Sequence, residues 1–152
     1  GSGHDLARGG SGSDSIKGQS GFDTLFGGGG NDTIRGEAGN DVINGGDGDD
    51  SIRGGVGRDL ITGGEGSDAI NGESGNDTLL GDDGDDSMIG GAGADIVLGG
   101  DGDDRVSGSG SNADTVAGNE GDDLLLGNLA SEIDETFTLA DEILAMLVDT
   151  QV

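Results

Sequence analysis

Aspartate returns every nine residues along this chain: Asp5, Asp14, Asp23, Asp32, Asp41, Asp50, Asp59, Asp68, Asp77, Asp86, Asp95, Asp104, Asp114 and Asp123, with one inserted residue allowed before Asp114. Glycines stand at fixed offsets before each, among them Gly9 and Gly12, Gly27 and Gly30, Gly45 and Gly48, and Gly63 and Gly66. A carboxylate beside carbonyls that no side chain covers makes a set of hard oxygen donors, and such sets bind hard divalent cations. Soft donors are missing, since the chain has no Cys and one His, His4. That scarcity also removes disulfides and cysteine nucleophiles. No nucleophile, base and orienting group recur together, so no catalytic residues are expected.

The elements that position these donors follow from the repeat itself. Twelve nonapeptides run from GGSGSDSIK (9–17) through GGDGDDSIR (45–53) and GESGNDTLL (72–80) to GNEGDDLLL (118–126). A decapeptide, GSGSNADTVA (108–117), and a truncated unit, GSGHDLAR (1–8), bring the count to fourteen turns. Numbering each unit one to nine, glycine holds position one in every complete unit and position four in every nonapeptide, and aspartate holds position six. Position eight is always apolar, from Ala7 and Ile16 to Val116 and Leu125. Such a unit divides into a six-residue glycine-rich turn and a three-residue strand whose middle side chain points inward. Glycine at positions one, two and four permits the positive φ and close approach of a tight turn.

Two units per coil give an all-β fold, a right-handed parallel β-roll in which each turn stacks on the turn eighteen residues away, about 4.8 Å apart. Asp14, Asp32, Asp50, Asp68 and Asp86 then form one column, and Asp23, Asp41, Asp59, Asp77 and Asp95 the other, on the opposite edge. Stacked carboxylates repel, and a dication between the turns removes the conflict. Calcium, with six to eight adaptable oxygen ligands, suits a carbonyl-rich turn better than the smaller, strictly octahedral magnesium. Seven turns on each edge leave six gaps, hence up to about twelve Ca²⁺ ions bound by the position-six carboxylates with the glycine carbonyls named above.

Charge points the same way. Thirty-two Asp and Glu against six Lys and Arg give a formal net charge of −26, which twelve dications would nearly cancel. The same charge argues against nucleic-acid binding. With 37 Gly, no Pro and only 33 Leu, Ile, Val and Phe, burial is too sparse to offset chain entropy without a ligand. No apolar run is long enough to span a membrane, and no basic and apolar leader opens the chain. The opening Gly1-Ser2 and the start in mid-unit read as an excised fragment.

These units resemble the GGxGxDxUx nonapeptide of the repeats-in-toxin (RTX), or hemolysin-type, calcium-binding family, over residues 1–127. The resemblance implies a parallel β-roll with Ca²⁺ between stacked turns in a secreted, extracellular bacterial protein. It further implies export by type I secretion machinery and folding on release into calcium. Several units depart from the motif. Position two is Gln19, Glu37, Glu73, Asp82, Ser109 or Asn119; Arg58 puts a cation inside one turn; and Phe22 and Ala94 replace a polar fifth residue. The poorest occupancy is expected around 108–114, where Ser111 or Ala113 takes the place of a ligand-shaping residue.

The outward positions seven and nine divide between two sheets. Lys17, Arg35 and Arg53 form a cation ladder on one, a surface for an acidic partner or, more commonly in such ladders, one neutralised by neighbouring Asp and Glu. The other shows an apolar stripe, Leu6, Phe26, Val42, Leu60, Leu80, Ile96 and Leu98, a surface for docking or self-association. After Gly127 the chain changes character, and Leu139, Ile143, Leu144 and Leu147 fall at helical spacing. Residues 128–152 are therefore expected to form a C-terminal cap with a helix from about Leu139 to Val148, and the competing assignment is a type I secretion signal, a role that can coexist with capping. Two functions remain open: a calcium-triggered folding and export module, and an extracellular scaffold that assembles end to end in calcium.

Overall fold

A computed structural model describes residues 1–110, 112 and 114–126, together with the backbone of 131–132. The expected helix at 139–148, and the cap as a whole beyond that short backbone segment, lie outside the described residues. Within them every regular element is a strand. In chain order these are β1 (Leu6–Ser11), β2 (Ser15–Ser20), β3 (Thr24–Gly29), β4 (Thr33–Ala38), β5 (Val42–Asp47), β6 (Ser51–Val56), β7 (Leu60–Glu65) and β8 (Ala69–Ser74). There follow β9 (Thr78–Asp83), β10 (Ser87–Ala92), β11 (Ile96–Asp101), β12 (Arg105–Ser107), β13 (Thr115–Glu120), β14 (Leu124–Leu126) and β15 (Ser131–Glu132).

The odd-numbered strands build one sheet, in the order β1-β3-β5-β7-β9-β11-β13-β15, and the even-numbered strands build the other, in the order β14-β12-β10-β8-β6-β4-β2. Every pairing is parallel, with Ile34 opposite Ile52 and Leu25 opposite Ile43, eighteen residues apart. The fold is thus a parallel β-solenoid of two nonapeptides per coil. Position eight fills its interior: Ile34, Ile52, Ile61, Leu79 and Val97 are fully buried, and Ala7 and Leu125 pack against the two ends of the file.

The strands are longer than the expected three residues. Most span six, from position seven through position three of the next unit, because identical turns stacked in register hydrogen-bond to one another as strands do. Only positions four to six remain as the tight bend. There Gly75 has φ +148°, and a Cβ would strike the carbonyl of Gly57 in the coil beneath, so no other residue fits. Insertion of one residue cuts β12 to three residues and shifts the next pairing to Ile96 opposite Thr115, after which the stack resumes. The sheet also continues past Gly127, where β15 pairs with β13.

Position two shows what a departure from glycine costs. Where glycine is present φ lies between +110° and +120°, as at Gly91 and Gly64. The six departures, Gln19, Glu37, Glu73, Asp82, Ser109 and Asn119, keep φ between 50° and 81°, inside the left-handed well that L-residues enter at a cost of about 1–2 kcal/mol. Gln19→Gly and Glu37→Gly should therefore each stabilise the roll by about 0.5–1 kcal/mol after the added freedom of the unfolded chain is subtracted. Calcium-loaded urea melts of each variant check this, and an unchanged or lowered midpoint would show these turns to be unstrained.

Candidate metal centre

The repeat delivers each position-six aspartate to the seam where one coil bends over the next. All of them from Asp23 to Asp123 are buried. One oxygen of each is used by the fold itself. The backbone N–H of Asp23 donates to Oδ1 of Asp41 at 2.8 Å, that of Asp41 to Asp59 at 2.8 Å, and that of Asp59 to Asp77 at 2.8 Å. The second column repeats the link, Asp32 to Asp50 at 2.7 Å and Asp50 to Asp68 at 2.8 Å. It crosses the insertion intact, from Asp95 to Asp114 at 3.0 Å and from Asp104 to Asp123 at 2.9 Å. The sequence did not reveal this ladder, which makes each aspartate an architectural acceptor for its neighbour's amide.

The other oxygen has no such use. Oδ2 of every ladder aspartate from Asp14 to Asp114 is buried and accepts no hydrogen bond. Unsatisfied buried carboxylate oxygens are costly. They also share their surroundings with a carbonyl. A methyl carbon built on Gly9 would lie 2.6 Å from Asp14 Oδ2 and 2.6 Å from the Gly27 carbonyl oxygen, and one on Gly72 would lie 2.5 Å from both Asp77 Oδ2 and the Gly90 oxygen. Glycine at position one thus leaves a cradle into which a carboxylate oxygen and a main-chain carbonyl of the next coil both face. Gly27, Gly45 and Gly63 present their carbonyls to this cradle. The position-four carbonyls run along the stack instead: a Cβ on Gly66 would meet the Gly48 oxygen at 2.6 Å.

Among the described residues no three His, Cys, Asp or Glu side chains converge as a metal cluster. A cation in the cradle would take one or two carboxylates and draw its remaining ligands from carbonyls and water, a donor set that fits calcium. The electrostatics fit as well. Burial pushes Asp59 and Asp86 up from 3.8 to about 7, and Asp68, Asp77 and Asp104 to about 6. Asp41, Asp50 and Asp95 are raised for the same reason. The amide hydrogen bond to each opposes the rise, and stacked aspartates add to it, as Asp77 and Asp41 do at Asp59.

One expectation about the turns changes. Arg58 is exposed and does not enter its turn; its backbone N–H donates to Asn40 Oδ1 at 2.9 Å. Polar fifth residues make a second ladder, Ser67 N–H to Asp49 Oδ1 at 3.0 Å and Asp103 N–H to Asp85 Oδ1 at 3.0 Å. Phe22, lacking that group, is 55 % exposed and lies against His4, ring centroids 4.9 Å apart.

The two edges differ in a way that unit-by-unit reading misses. At the C-terminal ends of strands in the eight-stranded sheet, Asp47, Glu65, Asp83, Asp101 and Glu120 stack in register as an exposed second file of acids. The opposite edge holds Ala38, Val56, Ser74 and Ala92 at the same positions. Comparing alternate units would have exposed the difference, since only those lie on one edge. Lys17, Arg35 and Arg53 do stack on the seven-stranded sheet, and Arg53 pairs with Glu73 at 3.6 Å. Arg8, on the other sheet, lies 4.4 Å over the Phe26 ring.

Comparison with known families agrees with this geometry. The model of the RTX calcium-binding nonapeptide repeat (4 copies) matches residues 1–34, 8–43, 17–52, 44–79, 80–112 and 108–130. No curated protein matches the chain. No helix among the described residues is long and apolar enough to cross a membrane. A family match spanning nearly the whole solenoid, on a fold whose turns carry paired hard donors, leads to one conclusion: the chain belongs to the RTX calcium-binding nonapeptide repeat family.

Proposed function

We propose that this chain is a calcium-triggered folding module of a secreted bacterial protein, exported through a type I pathway and ordered when it meets calcium outside the cell. The observation that carries the reading is the file of buried, unsatisfied Oδ2 atoms on both edges. Ca²⁺ would be held by position-six carboxylates such as Asp50, Asp59, Asp68 and Asp77 with carbonyls of position-one glycines, and water would complete the shell where the carbonyls of the position-four glycines Gly12, Gly30, Gly48 and Gly66 run along the stack instead. The bound ion supplies charge neutralisation, which relieves like-charge repulsion and the desolvation of the carboxylates. Coupling of binding to folding suits a chain whose apolar content is too small to fold on burial alone.

Isothermal titration calorimetry on the chain in low salt tests the reading. It predicts about twelve Ca²⁺ per chain, bound cooperatively, and one or two ions bound without cooperativity would contradict it. A scaffold assembling end to end in calcium through sheet edges is the second reading. Sedimentation velocity in calcium separates the two, since a scaffold must grow with concentration.

A further inference from the structure

We propose that the two edges of the roll hold calcium with unequal strength. The first edge, with Asp50, Asp68, Asp86 and Asp104, binds it more tightly than the second, with Asp41, Asp59, Asp77 and Asp95, so the second edge gives up its ions first when calcium falls. This inference rests on the calcium-binding reading above and adds a regulation to it. Both edges offer the same cradle, since Oδ2 is buried and accepts no hydrogen bond in either column. What differs is the charge set around the cradles.

Position five shows the contrast, because its side-chain oxygen links one coil to the next on both edges. On the first edge three of these links are ionised: the N–H of Ser67 donates to Asp49 Oδ1, that of Asp103 to Asp85 Oδ1 and that of Asp122 to Asp103 Oδ1, each at 3.0 Å. A neutral link, Asp49 N–H to Asn31 Oδ1 at 3.3 Å, precedes them. On the second edge the links are neutral amides, Arg58 N–H to Asn40 Oδ1 at 2.9 Å and Ala94 N–H to Asn76 Oδ1 at 3.1 Å. The ionised links reach the buried carboxylates. Asp49 and Asp82 bear on Asp68, and Asp85 and Asp103 on Asp104. The charges bearing on Asp59 are Asp77 and Asp41, and on Asp77 Asp95, all members of the ladder.

The wider surroundings differ in the same sense. The exposed acid file from Asp47 to Glu120 belongs to the first edge, and Ala38, Val56, Ser74 and Ala92 take its place on the second. Glu37 and Glu73 do add acids to the second edge, but they share a groove with Arg35 and Arg53, and Arg53 pairs with Glu73 at 3.6 Å. Of the six Lys and Arg in the chain, Lys17, Arg35 and Arg53 each directly precede a position-one glycine of the second edge, and Arg58 stands at its position five. Arg8 and Arg105 flank the first edge. Carboxylates gathered around a dication site repel one another while it is empty and attract the ion when it arrives, so they tighten binding on their own edge.

The test is a competition titration of the calcium-loaded full chain with a chelator of known affinity, while circular dichroism follows the fold. The parent should show two classes of site about tenfold apart in low salt, drawing together in about 0.5 M KCl as the surface acids are screened. The triple variant Asp49→Asn, Asp85→Asn, Asp103→Asn keeps every acceptor of the position-five links, a place that asparagine already fills at Asn40 and Asn76. It should weaken the tight class by about tenfold and leave the weak class where it was. The mirror pair Asn40→Asp with Asn76→Asp should tighten the weak class instead. A single class of site in the parent overturns the proposal. So do two classes that neither variant moves, or a triple variant that acts on the weak class. Absence of bound calcium would overturn this inference together with the reading beneath it, whereas one class of site on a chain that calcium folds overturns this inference alone.

Discussion

Asp59→Asn combined with Asp86→Asn should make the metal-free roll easier to form and the calcium-loaded roll harder to form. The amide oxygen that replaces each Oδ1 still accepts the N–H of Asp41 or Asp68, so the ladder stays whole. What disappears is a buried negative charge flanked by others, Asp41 and Asp77 at one place and Asp68 and Asp104 at the other. The β content in chelator should rise, while the calcium midpoint of folding should rise by roughly tenfold, equivalent to about 1.4 kcal/mol. Asp59→Ala behaves differently, because it removes the acceptor as well. It leaves the buried Asp41 amide unpaired, which costs about 1–3 kcal/mol, and so should weaken folding with and without calcium. Asp50→Ala and Asp68→Ala should do likewise through the amides of Asp32 and Asp50. Calcium midpoints unchanged in all of these variants would show that position six does not ligate.

Acidity should act in opposite directions on the two states of the chain. Asp59 and Asp86 titrate near 7 in the metal-free fold against 3.8 unexposed to such surroundings, and Asp68, Asp77 and Asp104 near 6. A carboxyl whose folded pKa lies above its unfolded value binds protons preferentially in the fold. Its contribution to stability is therefore full below about pH 4 and is lost as pH rises through about 6 to 7. In chelator, the chain should gain β structure as pH falls from about 8 to about 5. With calcium near its folding midpoint the same change should unfold it, because protons displace the ion from the carboxylates. Circular dichroism along both titrations checks the crossing, and parallel curves would mean that the ladder aspartates are not the titrating groups.

Much of this was legible because a nine-residue register leaves little freedom. The position of Asp59 over Asp41 and under Asp77, the burial of Ile52 and Leu79, and the division of Lys17 and Leu60 between opposite sheets all follow from counting by eighteen. Strand length did not follow, since turn residues such as Gly27 and Gly28 have no strand propensity of their own and pair only because an identical turn lies above and below. The double use of each aspartate was also hidden. Composition suggests a ligand, and only the stacked backbone shows that Oδ1 is committed to an amide while Oδ2 is left over. Beyond Gly127 the register ends, and there counting could not foresee that Ser131 pairs with Thr115, only sixteen residues away.

If the buried carboxylate oxygens that accept no hydrogen bond hold calcium as proposed, binding and folding are one event. Far-UV circular dichroism during a calcium titration at neutral pH, with magnesium as the control, measures this most directly. A cooperative change from coil to β with calcium, absent with magnesium at the same concentration, is the expected result. A β spectrum already complete in chelator, or no transition at millimolar calcium, would contradict it.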